Sequence, residues 1–410
     1  MSWKKVKLKY LANMRSGDSI TSDSIDGKGS YPVYGGGALR GYTESYTHEG
    51  NYILIGRQGA NCGSVRQVNG KFFASEHAVV VSHNSGVDNE WLYYLLESMN
   101  LNQYSISAAQ PGLAVNTIKN LEVNLPSYDL QIVIRKYIDK KTKIFETIIK
   151  QKEDLIELLE EQRQSIITEA VTKGLNPNVK MKDSGIEWIG EIPEHWSILA
   201  LKHIASEKKH SFVDGPFGSD LKNEEYVDSG VPVIQLNNIK NGDLRVINMN
   251  FVTKEKSEQL KRHIAYPGDL VIAKMASPIA RSAVVPKTYE NYVIVADCIK
   301  LKLKENYLNH YINFAMNTPF TIAQAESFAN GTTRSRVNLS IIKNLKLPIP
   351  NFEEQKEIAS YLTLKVSEVN NVIKAVENQI QKLKEYRQSL IYEAVTGKID
   401  VRDMELDEVR

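Results

Sequence analysis

The sequence predicts an α+β protein: two duplicated mixed α/β globules joined by two long antiparallel coiled-coil helices, with pseudo-two-fold symmetry. Two observations lead to this prediction. Residues 117–175 align without a gap with residues 341–399, and 23 of the 59 aligned pairs are identical. Within each repeat, a stretch of 44 residues (129–172 and 353–396) contains neither Gly nor Pro.

The duplication divides the chain of 410 residues, which is too long for one ordinary core, into six segments. The segments are, in order, a globule (1–126), a helix (127–173), a linker (174–190), a second globule (191–350), a second helix (351–397) and an acidic C-terminal tail (398–410). We expect the tail to be frayed beyond Asp400 because it is short, charged and terminal. The two globules have diverged more than the helices, since the spacing between matching motifs drifts along them.

Each long helix is preceded by a proline, Pro126 or Pro350, and ends near a glycine, Gly174 or Gly397. Apolar residues recur at alternating steps of three and four along both stretches, which predicts a coiled-coil seam. Two matched seams in one chain pair most simply with each other, and a globule at each end favours an antiparallel pair. A helix of about 43 residues is ~65 Å long, so the pair could act as a ruler along DNA.

Three polar residues interrupt the seams. Lys152 does so in the first helix only, whereas Arg163 and Arg387 occupy equivalent positions. One interpretation is that these side chains extend to solvent or reach a Glu on the other helix. The other is that the paired arginines fix the register of the helices or bind a partner subunit.

Short apolar runs predict strands in both globules. Strands are expected at residues 52–55, 78–81, 270–273 and 292–295, and helices at residues 90–99 and 307–316. Polar, glycine-rich stretches between them combine Arg, Gln, Asn and Tyr, the side chains that read base edges or contact phosphates.

The candidate DNA-binding residues come from these stretches. In the first globule they are Tyr34, Gly36, Arg40, Tyr42, Arg57, Gln58 and Asn61. In the second globule they are Lys208, Lys209, Gln235, Asn237, Asn238, Lys240, Lys274, Arg281, Arg334 and Arg336. Because polar loops occur in every globular protein, a coiled-coil scaffold with two modules for protein or glycan remains the alternative.

No catalytic motif stands out in the sequence. The glycine run at 35–37 fits neither a dinucleotide-binding fingerprint nor a P-loop, and no metal-ligand spacing is present. The two cysteines are far apart, which fits a reducing cytoplasm. No apolar run reaches the ~18–20 residues of a membrane span, and no secretory signal is recognised. The net charge of +2 does not by itself indicate nucleic acid, and an unrecognised hydrolase stays open.

Taken together, the motifs resemble those of type I restriction–modification specificity subunits, from about residue 3 to residue 399. The resemblance is carried in the first half by YPVYGGG (31–37), IGRQGA (55–60), SEHA (75–78) and AQPG (109–112). In the second half it is carried by IGEIPEHW (189–196), GPFGS (215–219) and YPGDL (266–270). The helices add the shared RQS at 163–165 and 387–389.

The resemblance implies a non-catalytic subunit whose globules are target-recognition domains, each reading one half of a bipartite, asymmetric site in double-stranded DNA. It also implies two adenine-N6 methyltransferase subunits bound to the helices, and motor-nuclease subunits for restriction. S-adenosylmethionine, ATP and Mg²⁺ would belong to those partners, so we expect this chain to bind no cofactor and no metal. No membrane partner is expected.

Overall fold

The computed structural model describes residues 3–35, 38–105, 112–240, 242–329, 336–402 and 404. It divides into two compact units, and each unit takes residues from both repeats. The first unit comprises Met1–Asp154 with Ala375–Arg410, and the second comprises Leu155–Lys374. Among the helices within those ranges, none is long and apolar enough to cross a membrane.

The first half of the chain contains eight strands and three α-helices in the part that is described. They are β1 (Lys4–Lys7), β2 (Ala12–Ser16), β3 (Tyr31–Gly35), β4 (Ala38–Thr43), β5 (His48–Gly56), β6 (Val65–Ala74), β7 (Ala78–His83), α1 (Asn89–Ser98), α2 (Val115–Lys119), β8 (Glu122–Leu125) and α3 (Tyr128–Lys173).

The second half is more fragmented. Its elements are β9 (Met181–Asp183), β10 (Glu191–Pro193), β11 (Ser197–Ala200), α4 (Leu201–Ile204), β12 (Phe212–Asp214), β13 (Val231–Ile234), β14 (Asn250–Val252), α5 (Lys254–Gln259), β15 (Ile264–Ala265), β16 (Leu270–Ala273), β17 (Ser282–Val284), β18 (Tyr292–Ile294), β19 (Cys298–Leu301), α6 (Asn309–Met316), α7 (Pro319–Ser327), α8 (Leu339–Asn344), β20 (Lys346–Ile349) and α9 (Phe352–Thr396). The strands and helices predicted in both globules are therefore present.

The sheets of the two units are variants of one design. The first unit has a six-stranded sheet of order β2-β7-β5-β6-β3-β4. The second has two four-stranded sheets, β12-β19-β16-β17 and β14-β13-β18-β15. The first of these sheets matches β2-β7-β5-β6, and the second, read in reverse, matches β5-β6-β3-β4. Two strands therefore stand in the place of β5 (β15 and β16), and two in the place of β6 (β17 and β18).

A glycine at equivalent points marks where the second sheet divides. In β5, Gly50 adopts a φ of +119° opposite Gly70 of β6, and the ladder continues through this pair. The corresponding Gly268, with a φ of +91°, follows Pro267, which has no N–H to donate to a ladder. The strand therefore ends there, and β15 and β16 belong to different sheets.

The long helices run antiparallel within each unit. In the first unit the Phe145 and Tyr386 rings meet edge to face at 5.5 Å, and Lys152 Nζ donates to Gln379 Oε1 at 2.7 Å. The contact made by the later residue of α3, Lys152, is with the earlier residue of α9, Gln379, so the two helices run in opposite directions. In the second unit Arg163 donates to Asn370 Oδ1 at 2.6 Å.

The C-terminal end of each long helix completes the core of one globule. In the first unit, the end of α9 contributes Leu390, Ile391, Ala394 and Val395 to the cluster around Trp91. In the second unit, the end of α3 contributes Ile167, Ala170 and Val171 to the cluster around Trp196. Each globule is therefore covered by the helix that follows the other globule in sequence.

A tryptophan covers the glycine that ends each long helix. Gly397 has a φ of +75°, and a Cβ there would lie 2.6 Å from the Trp3 ring. Gly174 has a φ of +73°, and its Cβ would lie 3.1 Å from the Trp196 ring.

The prediction of a frayed tail beyond Asp400 is wrong for Val401. The apolar side chain of Val401 is buried in the core cluster around Trp91.

A buried glutamine anchors the first turn of each long helix. Gln131 Oε1 accepts from the Asp88 backbone N–H at 2.8 Å, where α1 begins. Gln355, its counterpart, accepts from the Leu308 N–H at 2.8 Å, where α6 begins. Both side chains also donate to the carbonyl of the proline before the helix, Pro126 or Pro350. The same contact therefore fixes each helix to its globule.

Replacement of Gln131 by alanine should lower the free energy of unfolding by about 1–3 kcal/mol, because it leaves the buried Asp88 N–H without an acceptor. Chemical denaturation monitored by circular dichroism measures the loss. Gln151→Ala is the matched control because Gln151 is exposed on the same helix. An equal effect of both substitutions would show that the anchor contributes nothing.

Replacement of Gly397 by alanine should destabilise the protein by more than the ~1–2 kcal/mol of a left-handed residue alone, because the new Cβ would also overlap Trp3. Gly86→Ala provides the comparison in the same unit, since Gly86 has a φ of +80° and open space around its Cβ. The difference between the two unfolding midpoints measures the overlap. Equal midpoints would contradict the packing of Trp3 on Gly397.

Candidate nucleic-acid interface

In the first unit, Arg57 extends from the end of β5 into a set of converging loops. Its N–H donates to the His77 carbonyl at 2.9 Å, and its carbonyl accepts from the Leu113 N–H at 2.9 Å. The guanidinium Nη1 donates to Ser16 Oγ at 2.9 Å, at the end of β2. Since a hydroxyl carries no charge, the positive charge of Arg57 is not neutralised by this contact.

Gln58 follows Arg57 and is exposed. Its backbone forms a bridge with Gly112, and its side-chain Oε1 lies 2.6 Å from His77 Nδ1. The other ring nitrogen, Nε2, lies 3.1 Å from a Glu76 carboxylate oxygen. The exposed amide is thus held from one side by the protein and faces solvent on the other.

Lys274 occupies the same place in the second unit. Its N–H donates to the Asp297 carbonyl at 2.9 Å, and its carbonyl accepts from the Val337 N–H at 2.9 Å. Its Nζ donates to Asp214 Oδ2 at 3.1 Å, at the end of β12. The ammonium group is buried and neutralised by a carboxylate, which distinguishes it from Arg57.

The shared hydrogen bonds establish which positions correspond in the two globules. Arg57 corresponds to Lys274, and the residue that precedes β7 or β19 is His77 or Asp297. The side chain that accepts from this cation is Ser16 at the end of β2 in the first globule, and Asp214 at the end of β12 in the second. The backbone framework has been retained after duplication, and its side chains have changed.

Glycine at the start of each framework permits a close backbone crossing. The Gly17 N–H donates to the Ala78 carbonyl at 3.0 Å, and the Gly215 N–H donates to the Cys298 carbonyl at 2.8 Å. A Cβ at Gly17 would overlap the Ala74 carbonyl, and one at Gly215 would overlap the Val295 carbonyl. Neither glycine stood out in the sequence as a member of a candidate site.

Two of the predicted DNA contacts lie in the interior of the second unit. Arg281 is 7% exposed, and Asn238 is 3% exposed. The Asn238 side chain accepts from the Gln235 N–H at 2.9 Å and donates to the Arg245 carbonyl at 3.0 Å. The Arg281 guanidinium donates to the carbonyls of Leu236, Ile239, Met275, Ala276 and Pro278.

These hydrogen bonds occupy the polar groups that Arg281 and Asn238 would otherwise offer to base edges. Because Arg281 joins the loop after β13 to the loop after β16, we assign both residues to loop support rather than to DNA contact. Burial similarly limits Lys274 to its ion pair with Asp214. Sequence alone could not separate these three from exposed cations and amides of the same types.

The other candidates are distributed over the surfaces of the two globules. The exposed ones are Arg40, Asn61, Lys208, Lys209, Asn237, Lys240 and Arg336; the partly exposed ones are Tyr34, Tyr42 and Gln235. Arg336 pairs with Asp297 at 2.6 Å, and the Arg66 guanidinium lies 5.8 Å from the centre of the Tyr34 ring. Gly36 and Arg334 lie outside the described residues.

The seam arginines both reach the opposite helix. Arg387 Nη1 lies 3.6 Å from Glu146 Oε1, and Arg163 donates to Asn370, which is the counterpart of Glu146 in the repeat. The contact expected with a Glu on the other helix is therefore present for Arg387. For Arg163 an amide takes the place of the carboxylate.

Neither cysteine offers a reactive thiol. Cys62 and Cys298 are free and buried, and burial raises the pKa of the Cys298 thiol to about 12. Within the described residues, no group of three His, Cys, Asp or Glu side chains could hold a metal ion.

Comparison with known proteins connects this arrangement to a family. The family model described as "Type I restriction modification DNA specificity domain" matches residues 1–158 and 218–382. The chain is 43% identical over 141 residues to the type I restriction enzyme EcoprrI specificity subunit of Escherichia coli, a match that spans 33% of this chain and 35% of that relative.

A longer match is that to the type I restriction enzyme MjaVIII specificity subunit of Methanocaldococcus jannaschii, at 22% identity over 86% of this chain and 80% of the relative. A solved chain from a study of assembly and conformational transition in the type I R-M system shares the fold, with a TM-score of 0.68. It is 14% identical, over 97% of this chain and 98% of that one. With two copies of the matching domain, the chain belongs to the type I restriction–modification DNA specificity family and is a non-catalytic, DNA-recognition subunit of such a complex.

Proposed function

We propose that each globule reads one half of a bipartite, asymmetric site in double-stranded DNA through the loops around Arg57 and Lys274. The observation that carries this proposal is the backbone framework shared by the ends of β5 and β16. It brings Gln58, directly after the strand, to the surface in the first globule, and Arg336, on the crossing loop, to the surface in the second. Amide and guanidinium groups pair with base edges in the major groove. The exposed lysines Lys208, Lys209 and Lys240 would contact phosphates.

The paired helices α3 and α9 would set the spacer between the half-sites. Both helices are continuous, and each contributes residues to both compact units. Their surfaces also carry exposed apolar side chains, among them Leu158, Leu364 and Tyr386, which suit protein docking. Two adenine-N6 methyltransferase subunits would bind there, and motor-nuclease subunits would join them for restriction.

The cofactors would belong to those partners. S-adenosylmethionine would be held by the methyltransferase subunits, and ATP and Mg²⁺ by the motor-nuclease subunits, in the cytoplasm. This chain would bind none of them. Its own contribution would be to place each methyltransferase beside the DNA half-site that its globules select.

Selective DNA binding tests the proposed function directly. The chain, purified together with methyltransferase subunits from the same source, is incubated with the site that methylome mapping identifies. We expect preference for this split site over DNA with scrambled half-sites, and weaker binding as salt increases. Equal binding of both DNAs would reject the proposal and favour a scaffold for protein or glycan.

Replacement of Arg57 by alanine should lower discrimination at one base pair of a single half-site by about 1–3 kcal/mol, because Arg57 keeps its charge beside the neutral Ser16 hydroxyl. Competition binding against DNAs altered at each position measures the change. Lys143→Ala removes an exposed charge from α3 and serves as the control. An equal loss of affinity for every DNA would identify Arg57 as a phosphate contact instead.

Insertion of four residues into the exposed middle of one long helix adds ~6 Å, roughly one to two base pairs of duplex. We expect the recognised half-sites to remain the same while the spacer lengthens by that amount. Methylome mapping in cells that carry the variant measures both properties. A changed half-site with an unchanged spacer would contradict the role of the helices as a ruler.

A further inference from the structure

His77 connects the exposed amide of Gln58 to a carboxylate. Its Nδ1 lies 2.6 Å from Gln58 Oε1, and its Nε2 lies 3.1 Å from Glu76 Oε1. An amide carbonyl oxygen can only accept a hydrogen bond, so Nδ1 carries the hydrogen and donates to Gln58 in this arrangement. The Gln58 carbonyl is thereby tied to the protein, and its NH₂ group is left for another acceptor.

The ring itself is fixed by its surroundings. The His77 carbonyl accepts from the Arg57 N–H at 2.9 Å, and the His77 N–H donates to Ser75 Oγ at 3.4 Å. The second oxygen of Glu76 accepts from the Ile20 N–H at 3.4 Å. His77 therefore joins two consecutive candidate residues, by its backbone to Arg57 and by its ring to Gln58.

An unrestrained glutamine is a poor reader of bases. Its three side-chain torsions rotate in solvent, and its two polar atoms exchange places when the amide flips. Recognition of adenine requires that the oxygen and the nitrogen face N6 and N7 in a fixed order. A donor bound to Oε1 restricts the side-chain torsions and identifies which amide atom is the oxygen before DNA binds. The second lone pair of that oxygen and the NH₂ group then face solvent in a fixed order.

The second globule repeats this device with different chemistry. Asp297 precedes β19 as His77 precedes β7, and its carbonyl accepts from the Lys274 N–H. Its carboxylate holds the exposed Arg336 at 2.6 Å. The polar residue at this position contacts a candidate base-reading side chain in both globules, an amide in one and a guanidinium in the other.

We propose that the residue before β7 and β19 is a positioning residue for base recognition: His77 orients the Gln58 amide, and Asp297 orients the Arg336 guanidinium. This inference rests on the proposed reading of one half-site by each globule. The positioning residues do not themselves contact bases. They act by fixing the side chains that do, so their effect is confined to one position of one half-site.

Four variants of the full-length chain, each purified with its methyltransferase subunits, test the proposal: His77→Ala, His77→Asn, Gln58→Ala and Asp297→Ala. Competition binding against single-base variants of the mapped site gives the base preference at every position of both half-sites. His83→Ala is the control because His83 lies at the other end of β7, outside the loops. Thermal unfolding midpoints are recorded for all variants.

We expect Gln58→Ala and His77→Ala to reduce discrimination about five- to tenfold at the same base pair of one half-site. His77→Asn should retain most of it, because the Asn amide nitrogen can replace Nδ1 as the donor to Gln58. Asp297→Ala should change only the other half-site. The half-site that a variant leaves unaltered reports that the protein is folded.

Two results would overturn the inference while the proposed function stands. In the first, Gln58→Ala reduces discrimination and His77→Ala does not. In the second, His77→Ala weakens binding of all DNAs equally, which indicates a structural role. Unchanged discrimination in Gln58→Ala would remove Gln58 as a base reader, and the positioning role of His77 with it. Loss of site preference in the wild-type complex would instead reject the proposed function.

Discussion

The structure depends on the completion of each globule's core by a helix that follows the other globule in sequence. In the first unit, Leu390 and Ala394 of α9 are buried with Trp91; in the second, Ala170 and Val171 of α3 are buried with Trp196. Burial of apolar surface is the main stabilising contribution in domains of this size. Neither repeat therefore encloses its own core, and the antiparallel direction of the helices follows from this exchange of their ends.

That constraint explains why the helices have diverged less than the sheets. A seam residue must suit both the opposite helix and, near the helix end, a globule core. Gln131 and Gln355 make the same pair of buried hydrogen bonds, since each must satisfy a backbone N–H at the first turn of α1 or α6. The sheets face fewer such demands. In the second globule the counterpart of β5 is divided at Pro267 into β15 and β16, and the glutamine contact of the helix is nevertheless the same as in the first globule.

The sequence predicted the duplication, the two long helices and the strands with strong apolar runs, because these depend on periodicity within one segment. It did not predict that Ser16, His77 and Leu113 would meet at Arg57, because that meeting is set by sheet pairing between distant segments. The sequence also did not show which of the candidate side chains are buried. Arginine is a residue type that often contacts DNA, yet the guanidinium of Arg281 donates to five backbone carbonyls of the protein itself. The assignment of individual residues to DNA contact stays a prediction for the exposed candidates.

The two globules place their charge differently around the same backbone framework. In the first, Arg57 meets the uncharged Ser16, so the cation at the strand end stays available. In the second, Asp214 neutralises the buried Lys274, and the more accessible cation is Arg336, from the loop that crosses the strand end, which pairs with Asp297 at the surface. A buried ion pair contributes little to the attraction of phosphates, and breaking it would leave an uncompensated charge in the interior, so Lys274 is held at Asp214. We therefore expect recognition in the second globule to move from the strand end to the crossing loop. One framework can in this way present two chemically different surfaces, which is what two unlike half-sites require.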